Sequence, residues 1–430
     1  MRWSAVVCWL TVASSAWSGR AAAQDYTFDT SGLESRPYDL SASIELWPTF
    51  AVFHRGSPLY LLRYGEGAPS YSTIYRLRAE TGAQYKLGSF LGSALGVLSA
   101  SYEHFGDSLS SSAKFYECYL KYSPRVSFSL LAGKKTFRWG KGYAYNPVSF
   151  ASRPRDLNDI DAPLEGYWNV SAELIRGFSK GLSAFALSGA LFPVHGALNE
   201  GLEPGSDLVA TVQAYALLYD TDLDVIVLGD NEGGYKTGLD FSKNLLASWE
   251  IHGEWAYLPD NRTTFFANET TLVTNTRDAN NLVLGTRYLA LTNTTFILEY
   301  IHQGSGFTSN QMGTYYRVLG SAQASENATV ARATLESSMN LYNRQFIMTD
   351  YVYLRASQPD PFMLLYLTPA AYALLNLLDG SAMVGVEMTY TRFRHLLLTA
   401  RCVAFVGSHD TEFGVKQARG RIELRGEWSF

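Results

Sequence analysis

The 430-residue sequence is poor in cysteine: it has three, and Cys8 lies in an apolar stretch near the N-terminus. Cys118 and Cys402 are too few for a disulfide framework, which excludes a small staple-dependent scaffold. Long hydrophobic runs are missing as well. Beyond the N-terminus no ~18 apolar residues follow one another, which excludes helical membrane spans. Charge of one sign is scarce. The 35 Lys and Arg against 40 Asp and Glu leave a formal charge of −5, which argues against nucleic acid as a partner. No phosphate-cradling glycine loop occurs, because the pair Gly233–Gly234 lacks the required spacing.

What the chain does have is aromatic residues (14%, with 28 Tyr), few charged ones (17%) and a mean hydropathy of −0.07. It opens on MRWSAVVCWLTVASSAWSGRAAAQ, where Arg2 precedes an apolar run from Ala5 to Trp17 and then Ala21, Ala22 and Ala23. That order is the one of a secretory signal peptide, with cleavage expected near Ala23. The run is too short for an anchor of ~20 residues.

Period two dominates the remainder. In YRLRAETGAQYKL, Tyr75, Leu77, Ala79, Ala83, Tyr85 and Leu87 alternate with Arg76, Arg78, Glu80, Gln84 and Lys86. Such a run exceeds the usual strand of ~5–6 residues but suits a tilted membrane strand. The pattern recurs at 168–174, 235–241, 245–257, 382–390 and 395–406, and it predicts about 18 strands (16–18). Predicted connections after even-numbered strands are short. Every long one follows an odd-numbered strand, near 49–71, 136–166, 191–206, 258–280, 304–344 and 407–417. Sorting of loops by parity fits an antiparallel up-and-down transmembrane β-barrel with short periplasmic turns and long extracellular loops. A soluble sandwich has no reason to sort its loops this way. Lipid supplies no hydrogen-bond partner, so the sheet must close on itself. The expected organisation is a signal peptide at 1–23, a short periplasmic segment at 24–38 and the barrel at 39–430.

The final residues, RIELRGEWSF, alternate Ile422, Leu424, Gly426, Trp428 and Phe430 with polar partners. This segment resembles the C-terminal strand of Gram-negative outer-membrane proteins. The resemblance implies outer-membrane localisation and recognition of Trp428 and Phe430 by the barrel assembly machinery. RWGKGYAYNPVSF, Arg138 to Phe150, is similar to a Trp-Gly…Asn-Pro segment of porin-like outer-membrane families.

The polar row predicted to face the lumen carries both signs, among them Arg76, Arg78, Glu250, His252, Glu254 and Arg401. The loop at 136–166, with its flanks, is too aromatic for a solvated outer loop, with Phe137, Trp139, Tyr143, Tyr145 and Phe150. Its first part is basic (Lys134, Lys135, Arg138, Lys141, Arg153, Arg155) and its second acidic (Asp156, Asp159, Asp161, Glu165). Folded inward it would narrow the pore and set selectivity, as charged rings do in channels. Folded outward it would pack on neighbouring loops or another subunit. In the 304–344 loop, Val330, Thr334, Leu335, Met339 and Tyr342 fall at helical spacing.

Glu250, His252 and Glu254 share one strand face and could also hold a metal or form an acid–base pair, but the same row is ordinary barrel lining. No cofactor, metal or enzymatic activity is expected. The expected function is a porin-like channel for passive diffusion of ions or small polar solutes, in contact with outer-membrane lipid, as a monomer or an oligomer. A plugged barrel serving as receptor, adhesin or export conduit is the alternative, and a barrel hydrolase a further one.

Overall fold

The computed structural model describes residues 36–65, 69–105, 107–155, 162–269, 271–325, 327–341 and 344–430. The expected leader at 1–23 and residues 24–35 lie outside them, as do Asp156, Asp159 and Asp161.

The chain forms one 18-stranded sheet. Its strands are β1 (Tyr38–Phe53), β2 (Tyr71–Leu87), β3 (Phe90–Glu103), β4 (Ser108–Arg125), β5 (Phe128–Lys135) and β6 (Tyr167–Lys180). Next come β7 (Leu182–Pro193), β8 (Leu208–Leu218), β9 (Thr221–Asp230), β10 (Tyr235–Leu246), β11 (Trp249–Phe266) and β12 (Leu272–Leu289). The last six are β13 (Thr295–Gln303), β14 (Asp350–Ser357), β15 (Leu367–Asn376), β16 (Ala382–Phe393), β17 (Leu396–Val406) and β18 (Ala418–Ser429). Each strand pairs antiparallel with the next, and β18 pairs with β1, Trp428 opposite Ile44 and Glu427 opposite Glu45. The sheet is a closed all-β barrel, as the strand pattern predicts.

Period two fixes which side chains face out. Tyr71, Tyr75, Leu77 and Tyr85 of β2, and Val384, Val386 and Met388 of β16, are exposed on the exterior. Glu387, Arg401 and Glu423 share the opposite, inner face. A one-residue slip would exchange the two rows, so the apolar belt and the charged interior specify the same register. Connections sort by end. One end has tight turns such as 88–89, 181, 219–220 and 394–395, and the other has the long segments 54–70, 136–166, 194–207, 304–349 and 407–417. Tyr219 and Asp220 both take positive φ (49° and 57°), which matches the twist of a two-residue hairpin.

Several expectations are corrected. The predicted loop at 258–280 is instead an extension of β11 and β12 past their neighbours, a two-stranded ribbon with Thr264 opposite Thr274. Its polar residues on both faces hide the strand period. Loop 54–70 contains a short helix α1 (Pro58–Tyr64), capped by Ser57 with Pro58 in its first turn. Segment 304–349 holds two helices, α2 (Ser309–Ala324) and α3 (Ala328–Leu341). The predicted stripe lies on α3, yet Val330 and Met339 are exposed there and Tyr342 is outside the described residues. The buried face belongs to α2, through Met312, Tyr315, Val318, Leu319 and Ala322, and α2 starts at a Thr308–Gln311 capping box. Ahead of β14, Phe346, Ile347 and Met348 turn into an apolar core.

That core lies inside the barrel. Tyr351, Tyr353, Tyr372, Leu374, Met383 and Val403, from the inner faces of β14 to β17, pack with Phe413 and Val415 of the 407–417 loop and with α2. A second cluster sets Trp139, Val148 and Ala151 against Phe192, Val209, Ile226 and Ala256 of the inner wall.

Candidate functional site

The site is the barrel interior around the 136–166 segment, which leaves β5 and turns into the lumen. Two inward carboxylates hold its backbone. Glu254 on β11 accepts the backbone N–H groups of Lys141 and Gly142, each at 2.5 Å, that of Val148 at 3.4 Å and the Asn146 side-chain amide at 2.8 Å. Glu299 on β13 accepts the N–H groups of Tyr143 and Ala144 at 2.6 and 2.8 Å. Both carboxylates are buried, so these charge-assisted bonds form away from water, where they are strongest. Gly140 makes the approach possible. Its φ is +95°, and an added Cβ would sit 2.8 Å from Glu254 Oε1.

His252, between these anchors on β11, is itself buried. Its Nε2 is 3.0 Å from Glu299 and its Nδ1 3.6 Å from Glu250, while its ring meets Tyr143 edge-on at 5.3 Å. The Glu250–His252–Glu254 row is thus the surface on which the loop is seated. Lys141 extends the attachment, its Nζ 3.0 Å from Asp224 and 3.8 Å from Asp240. Burial disfavours its charge, but Asp224 and Asp240 outweigh this and hold its pKa above the usual lysine range.

The far end of the loop is tied at Glu165, which meets Lys134 at 2.6 Å, Lys114 at 3.1 Å and Arg153 at 3.8 Å. Burial alone would raise its pKa. The hydrogen bonds from Lys134 and Lys114, with the charge of Arg153, hold it below the usual carboxylate range. Lys135 lies over the Tyr119 ring at 5.4 Å, and Arg153 over Tyr167 at 4.9 Å.

Two cavities flank the loop and share Phe137 and Arg138. The first, about 240 Å³, is lined on the long-loop side by Tyr145, Ser149, Arg153, Arg155 and Gln345. The second, about 210 Å³, is lined on the short-turn side by Lys121, Ser129, Lys135, Glu173 and Gln213. Arg138 therefore stands between them, and the cationic side chains around both are Lys121, Lys135, Arg138, Arg153 and Arg155.

On the wall made by β14 to β18, β1 and β2, arginines and glutamates interleave. Arg401 meets Glu387 at 2.5 Å and Glu423 at 3.2 Å, Arg421 meets Glu423 at 2.7 Å, and Arg78 meets Glu80 at 2.5 Å. Arg425 pairs with Glu45. Arg76 and Arg425 both lie over the Trp47 ring, at 5.3 and 5.6 Å. Charge on this wall is largely neutralised in place. Trp428 and Phe430 face outward with ring centroids 6.3 Å apart, and the Phe430 N–H bonds to the Ala42 carbonyl on β1.

Arg138, Arg153 and Arg155, which the sequence sets in one loop, line one cavity. The sequence did not reveal Glu254 and Glu299 as loop anchors, nor Asp224 as the partner of Lys141. Their partners are backbone or ammonium groups far off in the chain, and no local pattern marks them.

No protein-family model and no curated protein sequence matches the chain. Solved structures do. OccK7 (OpdD) of Pseudomonas aeruginosa superposes with a TM-score of 0.50 at 14% identity, over 92% of this chain and 99% of that one. OpdQ of the same organism gives 0.53 at 9% identity, over 91% and 97%. OccK2 (OpdF), also from that organism and solved in complex with glucuronate, gives 0.51 at 13% identity, over 91% and 98%. At these identities the likeness concerns the fold: the closed antiparallel barrel of eighteen strands is that of outer-membrane porins.

Proposed function

We propose that the chain is an outer-membrane channel passing small polar solutes, anionic ones preferentially, along the basic path beside the 136–166 loop. The observation that carries this reading is the pair of cavities meeting at Arg138, with cationic side chains around both and, among the described residues, Glu173 as the one lining carboxylate. The apolar exterior supports a place in lipid, and the glucuronate bound by OccK2 supports an anionic solute. Short turns then face the periplasm and long loops the outside. Residues 1–23 serve as the export signal, and Trp428 and Phe430 are read by the assembly machinery.

Single-channel current in a planar bilayer with a salt gradient tests the reading. Discrete steps with an anion-favouring reversal potential support it, and a folded barrel that stays silent overturns it. A second reading, a plugged barrel acting as receptor or conduit, is favoured by one observation. Apolar residues of the 304–349 and 407–417 loops pack inside the barrel against β14 to β17. Hydrolase chemistry has less support, because Glu254 and Glu299 are already occupied by loop backbone.

A further inference from the structure

A buried carboxylate joins three segments at the long-loop end. Glu412, in the 407–417 loop, is fully buried. Its Oε2 accepts the Tyr351 hydroxyl at 2.6 Å and the Asn376 side-chain amide at 2.7 Å. The Tyr351 oxygen in turn accepts the backbone N–H groups of Ile347 and Met348, at 2.9 and 2.6 Å, which belong to the 304–349 segment. The Glu412 N–H donates to Asp379 at 2.7 Å and that of Phe413 to the Ser381 hydroxyl at 3.3 Å, both in the β15–β16 turn. Glu412 Oε1 has no hydrogen-bond partner among the described residues.

We propose that Glu412 is a proton-operated latch: protonated, it keeps the 304–349 and 407–417 segments packed over the mouth, and ionised, it loosens them. The orphaned Oε1 is the geometric reason. As part of a carboxylate it carries buried charge with no donor to offset it, and protonation removes that cost. The groups facing Glu412 do not cancel the effect. Lys416, on the same loop, has its ammonium stacked on Phe405 and Phe413 at 5.3 and 5.1 Å, and burial lowers its pKa. Arg421 on β18 acts on Lys416 in the same direction. Asp379, Asp410 and Tyr316 of α2 bring negative or titratable groups, and His54 bonds the Gly414 carbonyl at 2.9 Å. Burial pushes the Glu412 carboxyl up to about 7, against the pull of Lys416, the Tyr351 hydroxyl and the Asn376 amide, with Asp379 adding to the rise.

The sign follows from linkage. A group whose pKa is raised in the packed state favours that state when protonated. Packing is therefore tightest at acid pH, weakens by up to about ten-fold per pH unit from the ordinary carboxylate range to about 7, and is constant above. That this closes a pore rests on the channel reading; the latch itself does not.

Hydrogen exchange of the full chain, folded in bilayer and corrected for intrinsic pH dependence, tests the latch without any current. Protection at Ile347, Met348 and Phe413 should fall as pH rises from 5 to 7 and then level off. Glu412→Gln should hold it high at every pH, and Tyr351→Phe, which leaves two buried N–H groups without an acceptor, should hold it low. Flat protection in the wild type, or a Glu412→Gln protein that keeps the pH dependence, overturns the proposal. A barrel with the expected exchange pattern but no current at any pH supports the latch and sinks the channel reading.

Discussion

The Glu254 carboxylate on β11 lies 2.5 Å from the backbone nitrogen of Gly142, 112 residues earlier in the chain. A wall strand thereby fixes the path of the loop that crosses the lumen. Glu254→Ala would leave the N–H groups of Lys141 and Gly142 and the Asn146 amide without their acceptor. Orphaned buried donors cost ~1–3 kcal/mol each, so the loop should leave the wall rather than stay unsatisfied. The expected result is a folded barrel with larger, noisier single-channel conductance and a lower melting temperature. Unchanged conductance would show that Glu254 does not hold the loop.

Arg138 stands where the two cavities meet. At ~5 Å in water, one unit charge shifts the energy of a passing ion by ~0.8 kcal/mol. Arg138→Glu changes the charge by two units, raising an anion and lowering a cation by ~1.7 kcal/mol each, so the anion-to-cation permeability ratio should fall by on the order of a hundred-fold at low salt, and less at high salt. The reversal potential measures this. An equal change from Arg332→Glu, on an exposed pair with Glu336 of α3, would place selectivity elsewhere.

Val386, on the exterior of β16, is half exposed at 51%. If this face lies in hydrocarbon, Val386→Arg should cost ~2–4 kcal/mol near the midplane. Denaturant titration of the barrel in lipid vesicles gives the number. A negligible cost would place this belt outside the bilayer core.

Acid should act on the 136–166 loop in the opposite sense to its effect on Glu412. The Glu165 pKa is depressed, so the stability it lends is present above the ordinary carboxylate pKa and lost as pH falls through its lowered value. Proteolysis inside the loop should rise steeply at low pH, measured with a protease active across the range tested. Glu165→Gln should show the raised cleavage at neutral pH. Equal cleavage of wild type and variant at neutral pH would refute the role given to Glu165.

Much of the fold was legible because membrane-type barrels write their physics into a local period. In β2, Tyr75, Leu77 and Tyr85 against Arg76, Arg78 and Lys86 fixed both strand and facing, and Trp428 with Phe430 marked the last strand. Legibility ended where that period did. In the β11–β12 ribbon, Thr263, Thr264, Thr274 and Thr276 offer no apolar row, so strand was read as loop. In α2 the buried face is built from Met312, Tyr315 and Leu319 among small polar residues, a weaker signal than the exposed Val330 and Met339 of α3. The site was half legible. Arg138, Arg153 and Arg155 lie close in sequence, whereas the bonds from Gly142 to Glu254 and from Ala144 to Glu299 span more than a hundred residues.

The seam where Ile44 of β1 meets Trp428 of β18 also sets a kinetic problem. Bringing those strands together closes nearly the whole chain into a ring. The entropy of closure grows only slowly with length, as ~(3/2)RT ln n, but nothing rewards it until both partners exist. Neighbouring hairpins are local, whereas this pairing is the most distant in the chain and so intrinsically slow. Until it forms, β1 and β18 are two open edges on an apolar sheet, a template for aggregation. The interval before closure is therefore when this protein most needs escort, and a change that weakens the seam should show first as lost yield rather than as altered current.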